Sequence, residues 1–196
     1  SKSEKVIIAI HGNRSNKADT PIEIVAQNAL PDYQVLSFDL PEHGDRINED
    51  TPCKVQYCVE DLRVVMQYTK MNWKHIRLFA NSMGAYFSLL AYPNEPIEKA
   101  WFLSPIVDMQ RLIQNMMMWF NVSEEKLQQE KEVPTPIGQT LYWDYYCFVR
   151  EHPVSRWEIP THILYGSKDE LCERDIISKF TELFACQLEI VQGSEH

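Results

Sequence analysis

Ser82 stands in the pentapeptide Ala80-Asn81-Ser82-Met83-Gly84, with small side chains two residues away on either side. Ile76, Leu78 and Phe79 before it read as a short buried strand, and Ala85 to Tyr92 after it as the start of a helix. A serine on a tight strand-to-helix turn has its hydroxyl lifted clear of the backbone. It also lies beside the amide N–H groups that open the helix, where negative charge is favoured. The pattern is a variant of G-x-S-x-G with alanine first, and alone it is a modest signal, since small residues often flank a serine at a strand end. A serine hydroxyl becomes a competent nucleophile only when a base takes its proton, and the base needs an orienting carboxylate. Asp169, after Gly166-Ser167-Lys168, and His196, after Gly193-Ser194-Glu195, supply both in the order Ser82, Asp169, His196. The plainer alternatives are a capping or surface aspartate and a histidine in a loose tail. Stabilising an oxyanion takes two donors fixed in advance. The amide of Met83 is one, and the turn after the first strand offers the other at Asn13. His11 reads as an anchor of that turn and His43 as structural, while His75, His152 and His162 belong to no constellation.

The elements that must position these groups follow from hydrophobic periodicity. Val6–Ile10 is a continuous apolar run, as in a strand buried on both faces of a parallel sheet. It ends at His11-Gly12-Asn13-Arg14-Ser15 and leads to a helix from about Pro21 to Ala29, with Thr20 before the proline at its first position. Tyr33–Phe38 is a second strand, ending at Asp39. Thr51–Met71 carries apolar positions at helical spacing (Val55, Cys58, Val59, Leu62, Val65, Met66). The third strand precedes Ser82, and Lys99–Ser104 is a fourth. From Ile106 to about Glu158 the rhythm changes: helical stretches at Met109–Phe120 and Ser123–Lys131, a Pro134/Pro136 break, then an aromatic segment, Leu141–Phe148. Thr161–Tyr165 resumes the strands, Glu173–Ala185 is helical, and Gln187–Val191 is the last strand. Alternating strands and helices imply a doubly wound parallel sheet, whose chemistry gathers beyond the carboxyl ends of its strands.

Composition narrows the partners. The chain has 196 residues, 44% of them hydrophobic, which suits a sizeable core. A net charge of -9, without a lysine/arginine cluster, argues against nucleic acid and anionic membranes. Five scattered cysteines with no CxxC spacing read as reduced thiols in a cytoplasmic protein and argue against zinc. The start lacks the apolar run of a signal peptide, and no stretch is long enough to span a bilayer. His196 closes the sequence, which points to a natural chain that continues into a closing helix.

Ile10-His11-Gly12, Phe38–Asp45, Asn81–Gly84, Leu164–Asp169 and Gly193–His196, in this order, make the chain resemble an α/β-hydrolase of the serine esterase, lipase or thioesterase kind. The resemblance implies a six-stranded, mostly parallel core ordered 2-1-3-4-5-6 with helices on both faces. It implies a triad of Ser82, Asp169 and His196, an oxyanion hole at Asn13 and Met83, and no cofactor or metal. Asp108 is a second candidate acid, because some family members place it after the fourth strand. Ala80 and Asn81 depart from the family's commonest glycine and histidine.

The resemblance divides the chain into a core of residues 1–105 and 159–196 and a helical lid of 106–158. Met117, Trp119, Phe120, Tyr142, Trp143 and Tyr146 in that insertion are candidates for a substrate pocket, since methionine and aromatic side chains suit irregular apolar ligands. Two or three of them are expected to line it, the rest packing the insertion. The implied activity is hydrolysis of a small or medium carboxylic ester through an acyl-enzyme, with thioester hydrolysis as the nearest variant. A non-catalytic protein that keeps the fold to bind a ligand is the third reading. The expected partner is a small-molecule ester or thioester, without stable membrane insertion, and the protein is expected as a monomer or homodimer.

Overall fold

In the computed structural model, which describes residues 3–196, the apolar run Val6–Ile10 is buried throughout, at 0 to 8% exposure. Only an interior strand covered on both faces permits that. It belongs to β1 (Lys5–Ile10) and is followed by α1 (Thr20–Ala29), β2 (Gln34–Ser37), a single 3-10 turn at Gly44–Arg46, α2 (Val55–Asn72), β3 (His75–Asn81), α3 (Met83–Ala91) and β4 (Ile97–Leu103). Next come α4 (Met109–Trp119), α5 (Glu124–Glu130), the short strands β5 (Glu132–Pro134) and β6 (Thr140–Tyr142), and α6 (Trp143–Glu151). The chain ends with β7 (Thr161–Gly166), α7 (Arg174–Leu183) and β8 (Gln187–Val191).

Two compact units result, one formed by the chain up to Val107 and again by Arg156–His196, the other by Asp108–Ser155. The first is built on a six-stranded sheet ordered β2-β1-β3-β4-β7-β8, with every neighbouring pair parallel. Numbered among themselves, its strands run 2-1-3-4-5-6, as the resemblance implies. Interior strands β1 and β3 are nearly continuous in burial, whereas the edge strand β8 alternates exposed and half-buried positions. From β1 the chain steps outward to β2 and then returns to β3 on β1's other side. That reversal opens a crevice beyond the carboxyl ends of β1 and β3, where His11 and Ser82 emerge.

The second unit holds α4, α5, α6 and an antiparallel β5–β6 pair. The aromatic segment expected at Leu141–Phe148 is thus divided between a hairpin strand and α6. The cap of α1 also differs from expectation. Asp19, not Thr20, is the capping residue, and its carboxylate accepts the Ile22 amide at 3.2 Å with Pro21 inside the first turn.

Two histidines stitch the β1 and β2 loops to each other reciprocally. The fully buried His11 donates from Nδ1 to the Gly12 carbonyl (2.7 Å), so its Nε2 accepts the Leu40 amide across the crevice (3.0 Å). His43 mirrors it, donating from Nδ1 to the Pro41 carbonyl (2.7 Å) and accepting the Arg14 amide at Nε2 (3.0 Å). The two rings touch, with centroids 5.1 Å apart. Beside them Asp39 accepts the amides of Lys17 (2.8 Å) and Asp45 (3.0 Å).

Burial pushes the His11 pKa down, against the weaker upward pull of the Gly12 carbonyl. A depressed folded value means that the neutral ring stabilises the fold above the unfolded value of about 6.5, and that this contribution is lost as pH falls below it. Wild type should therefore melt well above His11→Asn at about pH 7.5, with the gap narrowing toward about pH 5. Thermal unfolding followed by circular dichroism at several pH values checks this; a gap that widens on acidification would contradict it.

Candidate active site

Ser82 occupies a backbone conformation that L-residues rarely adopt, φ 50° and ψ −116°. Three backbone hydrogen bonds hold it there. Its amide donates to the Leu103 carbonyl (2.9 Å), and its carbonyl accepts the amides of Ala85 and Ile106 (3.1 Å each). β3 thus delivers the serine, β4 and the segment after it clamp it, and α3 begins at the next residue. The turn fits because its neighbours are small. A Cβ on Gly84 would stand 2.5 Å from the His11 carbonyl oxygen, and one on Gly12 would stand 3.0 Å from Ser82 Cβ. Ala80 is fully buried at the end of β3, so the position usually held by glycine tolerates a methyl group here.

The half-buried Ser82 hydroxyl lies 2.6 Å from His196 Nε2, and His196 Nδ1 lies 2.8 Å from Asp169 Oδ2. Asp169 also accepts the amides of Leu171 (2.9 Å) and Cys172 (3.0 Å) at Oδ1. Its side chain is 0% exposed and that of His196 20%. With both carboxylate oxygens occupied, the aspartate has one orientation. It fixes the imidazole with its proton on Nδ1, leaving Nε2 to accept from the serine. The structure therefore brings Ser82, Asp169 and His196 into one continuous hydrogen-bonded line.

Residues 193–195 are tied down from β7. The Lys168 amide donates to the Ser194 carbonyl (2.9 Å), the Ser167 amide to the Val191 carbonyl (3.0 Å), and the Gly193 amide to Ser167 Oγ (2.9 Å). Gly166 permits the approach: a Cβ there would stand 2.3 Å from the Glu195 carbonyl oxygen and 2.5 Å from that of Ser194. The role of this glycine is to let one backbone lie on another. A glycine directly after a buried strand was the available signal.

Met83 is the first residue of α3, so its amide belongs to the first turn, where helix N–H groups have no intrahelical acceptor. Asn13 follows Gly12, and its Oδ1 lies 3.3 Å from His43 Nε2. Asp108 is the cap of α4, its carboxylate accepting the Arg111 amide at 2.9 Å, and it belongs to the second unit. Within that unit Met117 and Tyr146 are buried, Phe120, Tyr142 and Trp143 half-buried, and Trp119 exposed. The Trp143 and Tyr146 rings pack at 6.1 Å, and the Tyr146 hydroxyl lies 3.3 Å from Gln114. Among the described residues there is no cluster of three metal-ligating side chains, and no helix is long and apolar enough to cross a membrane.

Sheet order, strand-to-helix serine turn and helical insertion together define the α/β-hydrolase fold, and the solved structures that resemble this chain have it. Est1E from Butyrivibrio proteoclasticus, determined with ferulic acid bound, superimposes with a TM-score of 0.80 at 19% identity, over 100% of this chain and 83% of that one. Alpha/beta hydrolase domain-containing protein 10 from mouse gives 0.78 at 14% identity, over 97% and 80%. The Pyrococcus furiosus esterase Pf2001 gives 0.71 at 20% identity, over 99% and 75%. No protein-family profile and no curated sequence matches the chain.

Gly166→Ala should displace residues 194–196 and stretch the Ser82–His196 contact. A misplacement of about 1 Å is expected to lower the rate of Ser82 phosphonylation by about 10²-fold. A fluorophosphonate time course checks it, with circular dichroism confirming the fold; an unchanged rate would sink the role given to the glycine.

Proposed function

We propose that the protein is a serine hydrolase of small or medium carboxylic esters that works through an acyl-enzyme. The observation that carries this reading is the line from the Ser82 hydroxyl through the His196 imidazole to the buried Asp169 carboxylate. In the reaction so inferred, Ser82 Oγ attacks the ester carbonyl carbon as its proton passes to His196 Nε2. The resulting oxyanion is met by the amides of Met83 and Asn13. The C–O bond to the leaving group then breaks, with His196 returning the proton to the departing alkoxide. Water repeats the sequence on the acyl-enzyme, its proton taken by His196, and releases the acid and free Ser82. Asp169 does not accept a proton; it holds the ring and stabilises the imidazolium formed at each step.

Asp108–Ser155, rich in methionine and aromatic side chains of the kind that suit irregular apolar ligands, is proposed as the lid. The same machinery cleaves thioesters, so the substrate class is read from a turnover panel of esters and thioesters of graded acyl length. Esters of ferulic acid belong in it, given the ligand of the Butyrivibrio neighbour.

Wild type should react with a fluorophosphonate probe and Ser82→Ala should not. A folded wild type that fails to react would favour a non-catalytic binding protein. Asp169→Asn is expected to lower kcat by about 10⁴-fold, because the amide cannot hold the required tautomer. Asp108→Asn should stay within about threefold of wild type, since asparagine caps a helix about as well as aspartate. Steady-state kinetics on any ester that is turned over decides between the two carboxylates, and the opposite ranking would reassign the acid.

A further inference from the structure

Cys53 and Cys58 form a second cluster of nucleophilic groups that the hydrolytic reaction does not use. Lys54 is the capping residue of α2, which places Cys53 just before the cap and Cys58 on the first turn, on the same side. These are the positions where a pair of apolar residues staples a helix entry, and here the pair is two thiols. Their sulfurs are 3.6 Å apart. A disulfide needs about 2.05 Å, so closing it takes a movement of about 1.5 Å. The pair spans one loop-to-helix junction.

The two sulfurs are not equivalent. Cys58 is fully buried, whereas Cys53 is half-buried and lies in the loop, its amide bonded to Glu42 Oε2 at 2.7 Å. The contact with Cys58 is the main cause that holds the Cys53 thiol below its ordinary pKa. The positive end of an 18-residue helix acts in the same direction. Cys58, which faces that sulfur from a buried position, is pushed up. One sulfur thus lies half-buried in the loop, and the other is fully buried and in contact with it. This is the division that a dithiol needs for attack and resolution. Cys186, in contrast, is pushed up to about 11 by burial.

We infer that Cys53 and Cys58 are a modification site: a dithiol that hydrogen peroxide oxidises to a disulfide, with Cys53 attacking and Cys58 resolving. The Cys53 thiolate attacks a peroxide oxygen, forming an S–O bond as the O–O bond breaks. The sulfur gives up two electrons, and the departing hydroxide takes a proton and leaves as water. The Cys58 sulfur then attacks Cys53, the S–S bond forms, the S–O bond breaks, and the Cys58 proton leaves with the hydroxide as a second water. One peroxide is reduced to two waters and two thiols become one disulfide.

The test is by mass and is independent of ester hydrolysis. The full chain is treated with hydrogen peroxide in about tenfold excess, quenched with an alkylating agent under denaturing conditions, and mapped by peptide. The expected result is a Cys53–Cys58 peptide lighter by about 2 Da and closed to alkylation, with Cys147, Cys172 and Cys186 still alkylated. In Cys58→Ser the reaction should stop at a Cys53 sulfenic acid trapped by dimedone, and in Cys53→Ser the Cys58 thiol should remain fully alkylated. Full alkylation of both cysteines in wild type, at a dose that oxidises free glutathione, overturns the proposal. So does a dimedone adduct spread evenly over the other cysteines in Cys58→Ser. The wild-type measurement stands on its own should either variant fold poorly.

Discussion

A single residue held against its preference organises this site. Ser82 sits at φ 50°, ψ −116°, which costs on the order of 1–3 kcal/mol for a residue with a side chain. The surrounding structure over-determines that conformation. Leu103 and Ile106 grip the serine's amide and carbonyl from the β4 side, and α3 starts at once, so its opening amides stay beside the hydroxyl. Gly12 and Gly84 let the β1 loop close onto the turn from the other side. Relaxing any one contact would let the backbone fall back toward an ordinary turn and swing the hydroxyl away from His196.

Rigidity around the serine has a counterpart in the two loops that face it. His11 and His43 each use one ring nitrogen on their own loop and the other on the opposite loop. A side chain with one donor and one acceptor can do this only while neutral. The geometry of these two loops is therefore coupled to protonation at two buried rings. Position separates these histidines: His196 has one nitrogen aimed at Ser82, while both nitrogens of His11 and His43 meet backbone groups, with Asn13 Oδ1 also near His43 Nε2.

Much of this was legible from the chain alone. The apolar run at Val6–Ile10, the alternation of strand and helix, and the small residues around Ser82 pointed to a parallel sheet and a tight serine turn, because each is a local signal that burial reinforces; the strand order came only from the family resemblance. Asp169 and His196 were readable as candidates from their places after strands and from their order. Contacts between distant segments were not readable. Nothing near Cys53 announces that Cys58 will touch it, since five scattered cysteines look alike until α2 fixes their phase. Gly166 reads as a turn residue until Glu195 is seen lying across it. The β5–β6 pair escaped notice because three-residue strands take their identity from each other, not from composition. Thr20 looked like a cap, but Asp19 reaches the same amide with a carboxylate.

The hydrogen bond between Ser82 and His196 joins residues 114 positions apart. Closing so long a loop is an entropic cost that must be met before the contact returns anything. β7 and β8 have to dock on β4 before His196 has a place to go. A growing polypeptide in which only β1 to β4 have assembled carries a Ser82 hydroxyl with no imidazole beside it. The contact therefore forms only once the last strand has joined the sheet, and not by degrees along the way.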